Sequence, residues 1–389
     1  MARRASDTNR AHRAHPFTRA LARFALVLFG VVAGLALMET ALRVLGVGAA
    51  QHDLRGLHEI RPDRPWLYGM RPNIEMLTPE GVRYTVNADG FRDRAYARPK
   101  PAGTFRIVVL GQSVAFGYGV PLDDTFPKLL EARLATLAPG VRIEILNLSV
   151  IGYNPYTEAA LFTDVGVGYE PDLVLVQFGF NDLNDPTLHF DSATRLRLGA
   201  IPDAAFPNPQ RYPRPPRPSL ATRVCSALRV CTLLVSLRFP VPDTGLVRAS
   251  GQVHTDVSEV ELAWLRARYG EIATAASAVG ARFALVVFPY ADQLRRNVSD
   301  RVQERLGELG HETGWPVIDL LPVIREAARS GTSLFIDPFH LSAAGNRIVA
   351  DDLAVELRCR GLLPLAAGAG CPDRAASASG VPAEPTPVD

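Results

Sequence analysis

Apolar positions change their spacing several times along the chain, and each change marks an element. An uncharged run from Phe24 to Met38 comes first. Its fifteen residues fall short of the roughly 20 that cross a bilayer. The run resumes as Thr40–Leu42 and Val44–Ala50, broken only by Glu39 and Arg43, whose side chains can reach the interface. A transmembrane helix over 24–48 is therefore expected. Residues 49–104 are rich in Pro, Arg and Gly and lack a long period, so they read as an extended lead-in with short strands such as Arg83–Val86.

From Phe105 the texture alternates between strand and helix. Arg106–Leu110, Val141–Leu146, Asp172–Phe178, Arg282–Phe288 and Pro316–Ile318 are short apolar runs. Such runs suit strands buried on both faces of a parallel sheet. Between them lie helical stripes over Asp124–Leu137, from Asn154-Pro155 to about Val165, Ser258–Ala278, Gln293–Thr313 and Ser342–Arg358. The alternation predicts an α/β fold with a doubly wound sheet of about five parallel strands, over 105–365. Two stretches interrupt it. Residues 183–255 carry nine prolines between Pro202 and Pro242 and are expected to form a cap insertion with a short helix near 221–237. The small, polar, Pro-rich tail 366–389 is expected to be disordered.

Charge adds a topology to this pattern. The first 50 residues hold seven Arg against Asp7 and Glu39, a net of +5, so the rest carries −3 of the total +2. A mildly acidic main domain has no electrostatic footprint for nucleic acid. Six of those arginines fall within residues 1–23, the basic leader ahead of the apolar run. That arrangement predicts a cytoplasmic N-terminus and a main domain outside, on the periplasmic side of an inner membrane. Met38, Glu39 and Thr40 replace the small residues of a cleavage site, which favours an uncleaved signal-anchor over a removed signal peptide. Cys225 and Cys231, like Cys359 and Cys371, are close enough in sequence for local disulfides in an oxidising space, with free thiols as the alternative.

Reactive groups of an open parallel sheet gather at the carboxyl ends of its strands. Gly111-Gln112-Ser113 follows the first strand, and a serine at a strand-to-helix turn is exposed for attack with its own N–H beside the developing oxyanion. Gly152 after the second strand allows close backbone approach and a second N–H donor. Asn181 after the third strand offers an amide as a third. Near the C-terminus, Asp337 precedes His340 by three residues, a spacing that lets the carboxylate hold the imidazole tautomer that accepts from a serine. No Gly-x-Gly-x-x-Gly, Walker lysine or metal-ligand spacing is present, so no cofactor and no metal is expected.

These four blocks, Ser113, Gly152, Asn181 and Asp337-x-x-His340, occur in the order found in the SGNH (GDSL-type) hydrolases, and the chain resembles that family over about 105–358. The run Asn87-Ala88-Asp89-Gly90-Phe91-Arg92 also resembles membrane-anchored bacterial members. The resemblance implies a flavodoxin-like three-layer α/β/α sandwich and acyl-ester chemistry. It implies Ser113, Asp337 and His340 as the catalytic group and Ser113, Gly152 and Asn181 as the oxyanion hole. The expected substrate is a small-molecule or glycan acyl ester. Transfer of an acyl group to an envelope glycan, or glycan binding without catalysis, are the alternatives. The chain departs from the family at Gln112, where the family usually has Asp. The change removes a carboxylate beside Ser113, but an amide can still accept through its oxygen, so the substitution is compatible with activity.

Overall fold

The computed structural model describes residues 16–45, 56–78, 80–184, 186, 187, 190, 201–207, 220, 224, 228, 230, 231, 256–294 and 298–365. Most of the basic leader, most of the cap insertion with its expected helix, and the tail lie outside the described residues. The chain divides into two compact units, 1–53 with 217–243, and 54–216 with 244–389.

In the first unit, helix α1 runs over Pro16–Val44 and contains a 25-residue stretch, Ala20–Val44, long and apolar enough to cross a membrane. The helix starts earlier than the uncharged run suggested and ends before 48, because Arg19 and Arg23 interrupt the hydropathy without breaking helical geometry. Leu26, Phe29, Leu37 and their neighbours are exposed in the absence of lipid. Glu39 and Arg43 pair at 2.6 Å across one turn, so the two charges near the end of the apolar stretch offset one another.

The second unit is built on five parallel strands in the order β6-β5-β7-β8-β9. They are β5 (Thr104–Leu110), β6 (Arg142–Asn147), β7 (Leu173–Phe178), β8 (Arg282–Val287) and β9 (Val317–Asp319). This is the doubly wound, flavodoxin-like order. Successive side chains of a strand point to opposite faces, and the two cores separate accordingly. Val108, Leu110, Val174, Val176, Leu285 and Val287 enter one core with helices α4 (Pro155–Asp164), α5 (Glu259–Ala278) and α6 (Arg301–Thr313). Ile107, Val109, Leu173, Leu175, Ala284 and Val286 enter the other with α3 (Phe126–Leu137), α7 (Leu321–Ala328) and α8 (Ala343–Cys359). The expected sandwich of five strands is present.

Helix boundaries follow local capping chemistry. Asn154 accepts from the N–H of Tyr156 and Thr157 ahead of Pro155, and Ser258 forms a capping box with Glu261. Two stripes are shorter than expected. Residues 122–124 form a separate 3-10 turn, because Pro127 sits in the first turn of α3 and sets its start after Thr125. The expected helix over 293–313 begins only at Arg301, after a 3-10 turn at Ala291–Leu294. Helix α7, Leu321–Ala328, was not anticipated, since eight residues are too few for a clear period.

The lead-in is folded rather than simply extended. Strands β1 (His58–Ile60) and β2 (Tyr68–Met70) pair antiparallel, as do β3 (Glu75–Leu77) and β4 (Arg83–Thr85). Leu57, Tyr68, Met70, Tyr84, Val86 and Phe91 bury themselves in the core that also holds Val108 and Leu110.

Candidate active site

Ser113 opens helix α2 (Ser113–Phe116) directly after β5, and Gly111 makes that placement possible. A Cβ on Gly111 would lie 2.8 Å from Gln177 Oε1, closer than real contacts allow. Without it, Gln177 reaches under the turn and accepts the N–H of Gln112 at 3.2 Å and of Ala115 at 3.3 Å. Asn147, at the end of β6, holds the same turn from the other side by donating to the Ala115 carbonyl at 2.7 Å.

His340 lies 227 residues further on, in the loop between α7 and α8. A bridge between Phe335 and Leu341 closes this loop, and Ile336 donates its N–H to the His340 carbonyl at 2.9 Å. The imidazole Nε2 stands 2.7 Å from Ser113 Oγ, and Nδ1 stands 2.6 Å from Asp337 Oδ2. The second carboxylate oxygen, Oδ1, accepts the N–H of both Phe339 and His340 at 2.8 Å. Asp337 is thus fixed by the backbone before it touches the ring. Burial pushes its carboxyl up, but the hydrogen bonds and charge interaction with His340, joined by the two backbone donors, outweigh this and leave it below the usual range. An ionised Asp337 only accepts, so Nδ1 carries the hydrogen and Nε2 is left to accept from the serine hydroxyl. The motif blocks group Ser113 with Asp337 and His340, and the structure brings the three into hydrogen-bond contact.

Tyr118 packs its ring on the His340 imidazole, with centroids 4.5 Å apart and planes at 37°. Nothing in the sequence distinguished this aromatic from any other near a Gly-rich turn.

Gly152 sits in the turn after β6 with φ +82°, a left-handed conformation that glycine adopts at no steric cost. The two loops are stitched together where Val150 donates to the Gly111 carbonyl at 3.2 Å. No acceptor among the described residues takes the N–H of Ser113 or Gly152. Asn181 lies in the 3-10 turn Phe180–Leu183 after β7, and its side chain falls outside the described residues. Ser113 and Asn181 therefore follow adjacent strands, β5 and β7, at the point where strand order reverses and ligands of such sheets bind.

Gln112 also carries a donor. Its side chain donates to a buried carboxylate, with Nε2 at 2.6 Å from Asp182 Oδ1. An amide offers both roles, and a buried carboxylate selects the donor.

The lead-in reaches the same turn. Arg92, 1% exposed, donates to the carbonyls of Phe116 at 3.0 Å, Gly117 at 2.7 Å and Val120 at 2.7 Å. Its guanidinium lies 4.3 Å from the Tyr84 ring centroid, and the Tyr84 hydroxyl accepts from Gly119 N–H at 2.8 Å. Burial pulls the Arg92 guanidinium down to about 10, and it stays charged at neutral pH. Asp93 accepts the Asn147 N–H at 2.9 Å and pairs with Lys128 at 2.8 Å. Replacing Arg92 by Met is expected to lower stability by about 2 kcal/mol or more, since three buried carbonyls lose charged donors. Chemical unfolding measures it, and an unshifted midpoint would show that the clamp is dispensable.

The sequence profile of the GDSL-like Lipase/Acylhydrolase family matches residues 109–348. An arylesterase of Vibrio mimicus is 32% identical over 77 residues, which cover 20% of this chain and 38% of that enzyme. The match thus spans well under half of the relative's length. Among solved structures, TesA is 15% identical with a TM-score of 0.40, covering 66% of this chain and 99% of that one. The psychrotrophic esterase EstA from a Pseudoalteromonas species is 14% identical with a TM-score of 0.38, over 66% and 99% of the two chains.

Proposed function

The chain belongs to the GDSL-like lipase/acylhydrolase family, and from that premise we propose that it hydrolyses acyl esters through a covalent intermediate on Ser113. The observation that carries the reading is the unbroken hydrogen-bonded chain from the Ser113 hydroxyl through His340 to Asp337. His340 Nε2 takes the hydroxyl proton as Ser113 Oγ attacks the ester carbonyl. The N–H groups of Ser113 and Gly152, with the Asn181 amide, receive the negative charge that develops on the carbonyl oxygen. His340 then returns the proton to the departing alkoxide, and the alcohol leaves. Water, deprotonated by the same imidazole, attacks the acyl-enzyme and releases the acid.

The helix at Ala20–Val44 supports an anchored protein whose active domain lies outside the cytoplasm. Cys231 and Cys359 are both disulfide-bonded, which fits an oxidising compartment. On this reading residues 105–365 are the catalytic domain, 49–104 the lead-in that braces it and 183–255 a Pro-rich insertion within its sequence.

A fluorophosphonate probe tests the reading directly. Reaction requires an activated hydroxyl, so peptide mapping is expected to find one adduct, on Ser113. A protein that stays unlabelled under conditions where it remains folded would instead be a binding module that kept the fold.

A further inference from the structure

We infer that Gln112 is a positioning residue: its neutral side-chain amide ties the Ser113 turn to the Asn181 turn through the buried carboxylate of Asp182. The inference rests on the serine-hydrolase reading above and deepens it, because it assigns a task to the position at which this chain departs from its family.

Gln112 and Asp182 are both 0% exposed, and each is the immediate neighbour of a proposed catalytic group, Ser113 and Asn181 respectively. Asp182 is fully engaged. Oδ1 accepts from Gln112 at 2.6 Å, and Oδ2 accepts from the Gly179 N–H at 3.2 Å and the Tyr269 hydroxyl at 3.0 Å. Its own N–H returns to the Gly179 carbonyl at 2.9 Å, closing the turn that carries Asn181. One carboxylate thus shapes the 179–182 turn and, through Gln112, fixes where the nucleophile's turn stands relative to it.

The surroundings explain why the partner at 112 is an amide. The titratable groups facing Asp182 are Tyr269 from α5 and Glu158 from α4, with Tyr153 beside Glu158. Among the described residues, no cation acts on Asp182 or Glu158. Burial pushes both carboxyls well above their usual range, and the nearness of Asp182 pushes Glu158 further. Three donors aim at Asp182, whereas neither oxygen of Glu158 has a hydrogen-bond partner among the described residues. Of the two, Asp182 is therefore the better placed to hold a negative charge and Glu158 to hold the proton. A carboxyl at 112 would meet Asp182 acceptor to acceptor, and the link would hold only while the two shared a proton. An amide donates without titrating, so the link is independent of pH.

The test uses the full chain in detergent and the isosteric variant Gln112→Glu. Wild type is expected to keep its kcat from neutral pH to about pH 9. In the variant, kcat should fall along a new alkaline limb as the shared proton is lost, by about tenfold or more at pH 9. The double variant Q112E with D182N exchanges donor and acceptor and should restore the flat profile. An unchanged profile in the single variant would overturn the inference, as would a pH-independent loss that D182N does not repair. Should the single variant fail to fold, recovery of folded, active protein in the double variant supports the link, and failure to recover overturns it. Wild type that never labels with the fluorophosphonate overturns the serine reading and this inference together. Labelling with an unaltered Q112E profile overturns this inference alone.

Discussion

Ser113→Ala is expected to reduce ester hydrolysis by about five decades or more while the protein keeps its fold. The size of the loss follows from what the hydroxyl does in the proposed mechanism. Without Oγ no acyl-enzyme forms, and His340 has no proton to take; what remains is the help of the Ser113 and Gly152 N–H groups to direct attack by water. The fold should survive because Ser113 contributes one side-chain hydrogen bond, to His340 Nε2 at 2.7 Å, worth about 1 kcal/mol. The measurement pairs steady-state hydrolysis of an aryl ester with thermal unfolding of the same preparation. A variant that retains more than about a tenth of wild-type activity would show that another group performs the attack.

Asp337→Asn is expected to lose about four decades in kcat, through the wrong tautomer rather than lost packing. The backbone holds Asp337 by Oδ1, which accepts two N–H groups, and an Asn keeps that oxygen in place. Its NH2 group then faces His340 Nδ1, where Oδ2 stands at 2.6 Å in the wild type. A donor there requires Nδ1 to accept, which puts the hydrogen on Nε2, opposite the Ser113 hydroxyl. The ring no longer takes the serine proton, although every heavy atom is nearly where it was. The effect on thermal stability should be far smaller than the effect on rate. Because the wild-type carboxyl is held below its usual range, its contribution to stability is present above the ordinary carboxylate pKa and lost as pH falls through the lowered value. The variant should therefore lose less stability than wild type on acidification. Equal sensitivity of the two to acid would show that Asp337 is not what ties this loop down.

The main sheet and its order of elements could be read from the chain because both depend on local regularities. Strands buried on two faces leave short continuous apolar runs, such as Leu173–Val176, and amphipathic helices leave spaced ones. Caps such as Asn154 and Ser258 act within three residues and are visible wherever they occur. Short elements without a full period escaped, as with Leu321–Ala328 and strands β1 to β3 of the lead-in, whereas β4 was expected as Arg83–Val86. A polar residue inside an apolar strand was a signal that passed unused: Gln177 lies buried in β7 because it holds the turn above it.

The sequence by itself determined the alternation of strands and helices, the order of the four motif blocks, the apolar N-terminal helix and the pairing of Asp337 with His340, all set by spacing along the chain. Tertiary structure alone decided how Ser113 meets that pair, with Oγ 2.7 Å from the imidazole across 227 positions, that Gln112 donates to Asp182 across 70, and that Arg92 holds carbonyls of the Ser113 turn from 24 to 28 positions away. The physical reason is that a side chain's role depends on what faces it. An amide reads as donor or acceptor only once its partner is known, and a buried arginine acquires its task from carbonyls that the fold brings to it.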